Sequence, residues 1–306
     1  MIQNILIRAD SSSIIGTGHI MRDLVLAEQF DNSNIIFATQ NLSGNINHKI
    51  IEKNYTLEIL KSNDIKELTS LVNRLDINMI VIDHYSIDYK FEKKLKDLSP
   101  NLKIFALDDT YEKHYCDILL NINLYADINR YTDLVPNYCE LRCGPKYMLL
   151  RDEFIEEKEK GRQHKNDKMH LNIFIAMGGA DHSNINIKLL KVLKEFSNLE
   201  IHIVTTLANK YLEELKNYVA FMRNTTLHIN TNIIAKLMNE ADFAIITPSV
   251  IMNEVFYLKI PFIAIKTADN QRYMYKYLVK YNHKVSQKFD DKELFNYVHQ
   301  IIKELI

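Results

Sequence analysis

The chain has 306 residues, 47% of them hydrophobic and 25% charged, which is enough for two ordinary domains with separate cores and excludes a small stapled scaffold. Its 17 Tyr and 13 Phe exclude a disordered chain, and 7 Gly with 5 Pro exclude collagen-like and low-complexity sequences. With 38 Lys and Arg against 39 Asp and Glu the formal net charge is -1, so the broad positive field that drives nucleic-acid binding is missing and no nucleic-acid partner is expected.

The cysteines Cys116, Cys139 and Cys143 are odd in number and sparse, which argues for free thiols in a reducing compartment. None makes a tight Cys-x-x-Cys pair, and no metal is expected. The opening MIQNILIRAD has no basic region followed by a long apolar stretch, so it reads as a first strand and not as a signal peptide. No run reaches the roughly 18 to 20 apolar residues of a membrane span. A soluble, cytoplasmic protein follows.

Short β-branched runs alternate with helical periodicity, the mark of βα units around a parallel sheet. In chain order the first half predicts strands at Ile2 to Arg8, Asn34 to Ala38, Met79 to Asp83, Lys103 to Leu107 and Ile118 to Asn121. Its clearest helix is Ile20 to Phe30, with Ile20, Leu24, Leu26, Ala27 and Phe30 apolar and Arg22, Asp23 and Glu28 assigned to the polar side. The charged run from Glu153 to Lys168 reads as a linker or as the solvated end of a helix. Strands then resume at Leu171 to Met177, Glu200 to Thr205, Leu227 to Ile229, Phe243 to Thr247 and Phe262 to Ile265. The expected architecture is α/β: two doubly wound Rossmann-like domains, residues 1–160 and 168–306, facing a central ligand cleft. The amphipathic segment Phe289 to Ile306 is explained by packing back across the domains more simply than by a membrane surface.

The most informative stretch is ILIRADSSSIIGTGHIMR, Ile5 to Arg22, a strand entering a Ser- and Gly-containing loop that opens a helix. Gly16 and Gly18 would let a ligand approach closely, with helix-start amides to attract an anion. The third glycine of a dinucleotide fingerprint and the Lys-Ser/Thr of a P-loop are both absent. His19 stands at the helix N-terminus, where the dipole disfavours its protonation and leaves an imidazole able to act as a base. The same position equally suits a histidine that packs or caps. Asp83-His84-Tyr85 follows the strand MIVI, where strand-end residues point into the site crevice; Tyr85 would hold a sugar hydroxyl or a water, while His84 reads better as a satisfied histidine. Asp108-Asp109 could chelate a cation, although salt bridges or loop hydrogen bonds explain the pair better. In the second half, Gly178 and Gly179 follow a strand in IFIAMGGADHSN, where backbone N–H groups suit a phosphate or ribose. Ser249 stands near a helix start, with Glu254 about one turn in, where a carboxylate can accept from ribose hydroxyls. The run Thr267 to Arg272 supplies a third strand-to-helix turn.

At these residues the sequence resembles a known family. The run IRADSSSIIGTGHIMRDLVLAEQF, followed in order by IDHY, LDDTYEKHYCDILLNIN, VPNYCELRCGPKYMLLRDEF, MGGAD and NIIAKLMNEADFAI, is similar to the UDP-2,4-diacetamido-2,4,6-trideoxy-β-L-altropyranose hydrolase family of pseudaminic acid biosynthesis. The resemblance implies a two-domain glycosyltransferase B fold. It also implies a metal-independent enzyme in which water attacks the anomeric carbon of a UDP-sugar, UDP leaves, and the free sugar is released with inversion. Under this resemblance His19 is the general base, Tyr85 orients the water and Asn270 holds the diphosphate. Gly178, Gly179, Ser249 and Glu254 would bind UDP. Pro248-Ser249 interrupts a turn expected to be Ser-rich, and the helix from Phe289 to Ile306 looks added. The competing readings are a glycosyltransferase of the same fold, a hydrolysing 2-epimerase and a non-catalytic nucleotide-sugar-binding module.

Overall fold

The computed structural model describes residues 2–162 and 170–306. By its contacts the chain divides into two compact units, the first ending at Leu149 and the second running from Leu150 to Ile306.

The first unit contains β1 (Gln3–Ala9), α1 (Gly18–Ala27), β2 (Ser33–Gln40), α2 (His48–Glu52), β3 (Thr56–Leu60), α3 (Ile65–Arg74), β4 (Met79–Asp83), α4 (Tyr89–Leu98), β5 (Lys103–Leu107), β6 (Ile118–Asn121) and β7 (Glu140–Cys143). Its strands form one sheet in the order β3-β2-β1-β4-β5-β6-β7, and every pairing is parallel. Central strands of such a sheet are covered on both faces and must be apolar throughout. Accordingly Ile5, Leu6 and Ile7 of β1 and Ile80 and Val81 of β4 are fully buried. Helix α1 packs Ile20, Leu24, Leu26 and Ala27 into the core with Ile5, Ile7 and Val81.

The second unit contains α5 (Asp152–Glu159), β8 (Leu171–Ala176), α6 (Ile185–Leu193), β9 (Leu199–Thr205), α7 (Leu212–Val219), β10 (Thr225–Ile229), α8 (Ile234–Asn239), β11 (Phe243–Ile246), α9 (Ile251–Leu258), β12 (Phe262–Ile265), α10 (Arg272–Lys280), β13 (Val285–Ser286) and α11 (Asp291–Leu305). Its sheet order is β10-β9-β8-β11-β12-β13, again parallel in every pairing. In both units the chain winds outward one way from the first strand and then restarts on its other side. The reversal lies between β1 and β4 in the first sheet and between β8 and β11 in the second. Ligands of open α/β sheets bind beyond the strand ends at such reversals.

Four expectations from the sequence need correction. The strands β3, β7 and β13 were not anticipated; all are sheet edges, partly exposed or only two residues long, so they lack the apolar run that marks a central strand. Arg22 and Asp23 of α1 are buried and not solvated. The run from Glu153 begins as helix and belongs to the second unit: Phe154 is fully buried, and Asn239 Nδ2 donates to the carbonyls of Glu157 and Gly161 at 3.0 and 3.1 Å. The first unit therefore ends ahead of that helix and not at 160, and the part of the expected linker from 163 to 168 lies outside the described residues. Finally, α11 buries Leu294, Val298 and Ile301 within the core of its own unit. At roughly 1.5–3 kcal/mol for each such side chain, that burial accounts for the amphipathic pattern.

Candidate active site

In the first unit the loop after β1 turns tightly: Ser12 and Gly16 exchange backbone hydrogen bonds of 3.2 and 2.9 Å, and Gly16 has φ +88°, the left-handed region that glycine enters without strain. Gly18 then opens α1 and places His19 in its first turn. Across the sheet reversal, Asp83 ends β4. His19 Nδ1 lies 2.7 Å from Asp83 Oδ1. Arg22 Nε donates to Asp83 Oδ2 at 2.6 Å, and Arg22 Nη2 donates to Oδ1.

Burial by itself raises the pKa of Asp83, but the charge of Arg22 beside it, together with the hydrogen bonds from Arg22 and His19, holds it well below the usual carboxylate range. Arg22 stays charged in return: burial works against its charge, and Asp83 followed by Asp109 overcome it. A carboxylate that is ionised and accepts at Nδ1 requires the proton on that nitrogen. The tautomer is thereby fixed, and Nε2 is left as the basic lone pair.

Asp23, one residue beyond Arg22, is fully buried, and neither of its oxygens has a hydrogen-bond partner. Burial first, then the neighbouring charge of Asp83, push its pKa well above the carboxylate range against the opposing pull of Arg22. Ionising it would bury a second negative charge without a donor, at a cost of several kcal/mol. A neutral acid risks only an unmet hydrogen bond, about 1–3 kcal/mol.

A small cavity opens above this cluster, lined by Asp10, Ile15, His19, Asp83, His84, Tyr85 and Ser86. Tyr85 is 52% exposed, meets the His19 ring edge-on at a centroid distance of 4.9 Å, and donates its hydroxyl to Asp109, whose two oxygens lie at 2.9 and 3.0 Å. Asp109 also faces Arg22 Nη1 at 3.4 Å. His84 is a wall residue: its Nδ1 accepts from the Ser86 amide at 3.0 Å, and Nε2 lies 3.0 Å from Asp10 Oδ2. Asp10 is in turn gripped by both terminal nitrogens of the fully buried Arg8 at 2.7 Å, so the satisfied reading of His84 holds. Asp108 is a turn anchor. It accepts from the Thr110 amide and hydroxyl at 3.0 and 3.1 Å, the Tyr111 amide at 2.7 Å and the Tyr131 hydroxyl at 2.6 Å. Among the described residues no group of three or more His, Cys, Asp and Glu is arranged to hold a metal ion. The sulfurs of Cys116 and Cys139 lie 3.6 Å apart as free thiols.

The second unit brings its candidate residues to the ends of three neighbouring strands, β8, β11 and β12. Gly178 follows β8 with φ +81° and open space where a Cβ would stand. Gly179 is different. A Cβ there would meet Thr206 Cγ2 at 2.8 Å, and its carbonyl accepts from the Thr206 amide and hydroxyl at 3.1 and 2.9 Å, so this glycine is required by the turn after β9. The amides opening α6, expected to be open to phosphate, are already taken: Asp181 accepts from Ile185 and Asn186 at 2.7 and 2.9 Å. After β11, Ser249 Oγ pairs with Thr247 Oγ1 at 3.0 Å. Helix α9 begins without a side-chain cap, but the amides of Met252 and Asn253 already donate to the carbonyls of Ser249 and Val250 at 2.9 and 3.0 Å, so only the amides ahead of them can meet an anion. Glu254 is buried on α9 and receives Arg151 Nε and Nη2 on Oε1 at 3.2 and 2.9 Å. Burial raises its pKa and Arg151 opposes the rise. Asn270 is exposed on the turn after β12; the adjacent Gln271 shapes that turn by accepting from the amides of Thr267 and Ala268 at 2.8 and 3.2 Å.

Sequence reasoning singled out His19, Tyr85 and the strand-end residues Asp83 and Asp109 but not their pairing with one another, and it missed Arg22 and Arg151. The available signal was spacing: His19, Arg22 and Asp23 stand at i, i+3 and i+4, which is one helical face.

Two doubly wound parallel-sheet units are the components of the glycosyltransferase B fold. Solved structures agree on the fold. MurG of Acinetobacter baumannii superposes with a TM-score of 0.66 at 14% identity, covering 99% of this chain and 92% of that one. The spinosyn rhamnosyltransferase SpnG superposes with a TM-score of 0.67 at 9% identity, covering 99% and 92%. No family model matches the sequence. The UDP-2,4-diacetamido-2,4,6-trideoxy-β-L-altropyranose hydrolase of Campylobacter jejuni is 40% identical over 285 residues, 93% of this chain and 99% of that protein. The chain belongs to that hydrolase family.

Proposed function

We propose that this protein removes UDP from UDP-2,4-diacetamido-2,4,6-trideoxy-β-L-altropyranose by water attack at the anomeric carbon with inversion, a step of pseudaminic acid biosynthesis. The observation that carries the mechanism is the His19–Asp83 pair, which presents a fixed imidazole to a cavity. His19 Nε2 takes a proton from water as the water oxygen bonds to the anomeric carbon. The bond from that carbon to the diphosphate oxygen breaks, and UDP leaves with the electron pair. A single displacement from the face opposite the leaving group inverts the centre, as in other inverting sugar hydrolases. Tyr85, oriented by Asp109, holds the water with its hydroxyl oxygen, and Gly16 and Gly18 leave room for the sugar. In the second unit Gly178 and Gly179, the turn at Ser249, Glu254 and Asn270 bind UDP. Glu254 accepts from ribose through the oxygen that Arg151 does not occupy, and Asn270 contacts the diphosphate.

Amides at the uncapped start of α9 can stabilise charge on departing UDP without a cation. The engagement of Asp108 in its own turn and of Asp109 with Tyr85 and Arg22 supports a metal-independent reaction. Free thiols at Cys116, Cys139 and Cys143 support a cytoplasmic setting. Among the described residues no helix is long and apolar enough to cross a membrane.

Proton NMR of enzyme and substrate in EDTA, with no acceptor present, tests the reading. The free sugar should appear first as the inverted anomer. Intact substrate would point to a transferase or a binding module, and a 2-epimerised product to an epimerase.

A further inference from the structure

His19, Arg22 and Asp23 project from one face of α1. Two of them have clear partners, since His19 and Arg22 both engage Asp83. The third lies one helical turn beyond His19, has no exposed surface and has neither oxygen matched to a donor. A side chain in that setting retains one means of satisfying itself: if it carries a proton, its O–H can donate. The acceptor facing it is the carboxylate of Asp83.

We propose that Asp23 is held as a carboxylic acid whose O–H donates to Asp83, and that it is thereby a positioning residue for the His19 base. Asp83 then accepts from an imidazole, a guanidinium and a carboxylic acid. These donors occupy most of the roughly four lone-pair sites of a carboxylate. So filled, the carboxylate cannot rotate away from His19 Nδ1, and the direction of Nε2 into the cavity is fixed with it. The catalytic consequence rests on the hydrolase reading; the protonated acid does not.

The experiment has two arms. Infrared spectroscopy of the ligand-free enzyme at neutral pH reads the carbonyl stretch of protonated carboxyl groups. The difference between wild type and Asp23→Asn isolates this residue from Glu254 and Asp181, which burial also pushes upward. The expected result is a band present in wild type and lost in the variant; an unchanged spectrum overturns the proposal.

The kinetic arm compares Asp23→Asn, which keeps an N–H donor, with Asp23→Leu, which has none. Asparagine should stay within a few-fold of wild-type kcat. Leucine should lose on the order of 10²-fold in kcat with KM little changed, the cost of a mis-set catalytic group. Equal losses in both variants would overturn the positioning role, and if the leucine variant does not fold, the asparagine variant decides through the same kcat criterion. Should wild type itself release no UDP, the hydrolase reading fails, and the infrared arm still decides whether the acid is protonated.

Discussion

At position 83 one carboxylate accepts the Nδ1 proton of His19 and two N–H groups of Arg22, so a change there should act on rate and on stability together. Asp83→Asn keeps the shape but removes the charge, and it offers His19 an amide that can select the wrong tautomer. We expect kcat to fall on the order of 10²- to 10⁴-fold. Stability should fall by about 3–5 kcal/mol, because buried Arg22 then has only Asp109 at 3.4 Å as a counter-charge. Turnover and urea unfolding measured on the same preparation check both, and a variant with wild-type turnover would remove Asp83 from the mechanism. At this scale the sequence was half legible. His19 and Tyr85 stood out because they end or begin elements beside a sheet reversal. Arg22 and Asp23 did not, since an amphipathic reading of α1 sends charged residues to solvent. Only the position of Asp83 in the fold reveals that the polar side of this helix is also interior.

Among the elements, the central strands were legible because burial on both faces demands unbroken apolar runs: Met79–Asp83, Lys103–Leu107, Ile118–Asn121 and Phe262–Ile265 are observed with the expected bounds. The edges β3, β7 and β13 carry too little of that pattern to be read. Glycine-rich turns were found, but their purposes were not separable from sequence. Gly178 and Gly179 look alike in the chain, yet the first has open space around it and the second is pressed against Thr206. Gly179→Ala should therefore cost about 1–3 kcal/mol by overpacking. Thr206→Ala removes both close atoms, so the double variant should recover part of that loss in a double-mutant cycle. Additive losses in chemical denaturation would show that the turn gives way elsewhere. The helix after these glycines has a similar lesson. Its first amides serve Asp181, a capping arrangement worth about 0.5–2 kcal/mol, and are not open to an anion.

For the whole molecule, the alternation of strands and helices specified two doubly wound units, and candidate residues gather at the reversal of strand order in each. The division between units was not legible, because the charged run after Arg151 looks solvated while Phe154 within it anchors α5 in the second unit. The central claim is that water is the acceptor and that its oxygen bonds to the anomeric carbon. Running the reaction in ¹⁸O-labelled water and analysing both products by mass spectrometry tests this most directly. The account predicts the label on the anomeric oxygen of the released sugar and none on UDP, with no added acceptor. Label on the UDP phosphate would place the attack at phosphorus, away from the carbon that a His19-activated water is proposed to reach, and would contradict the mechanism.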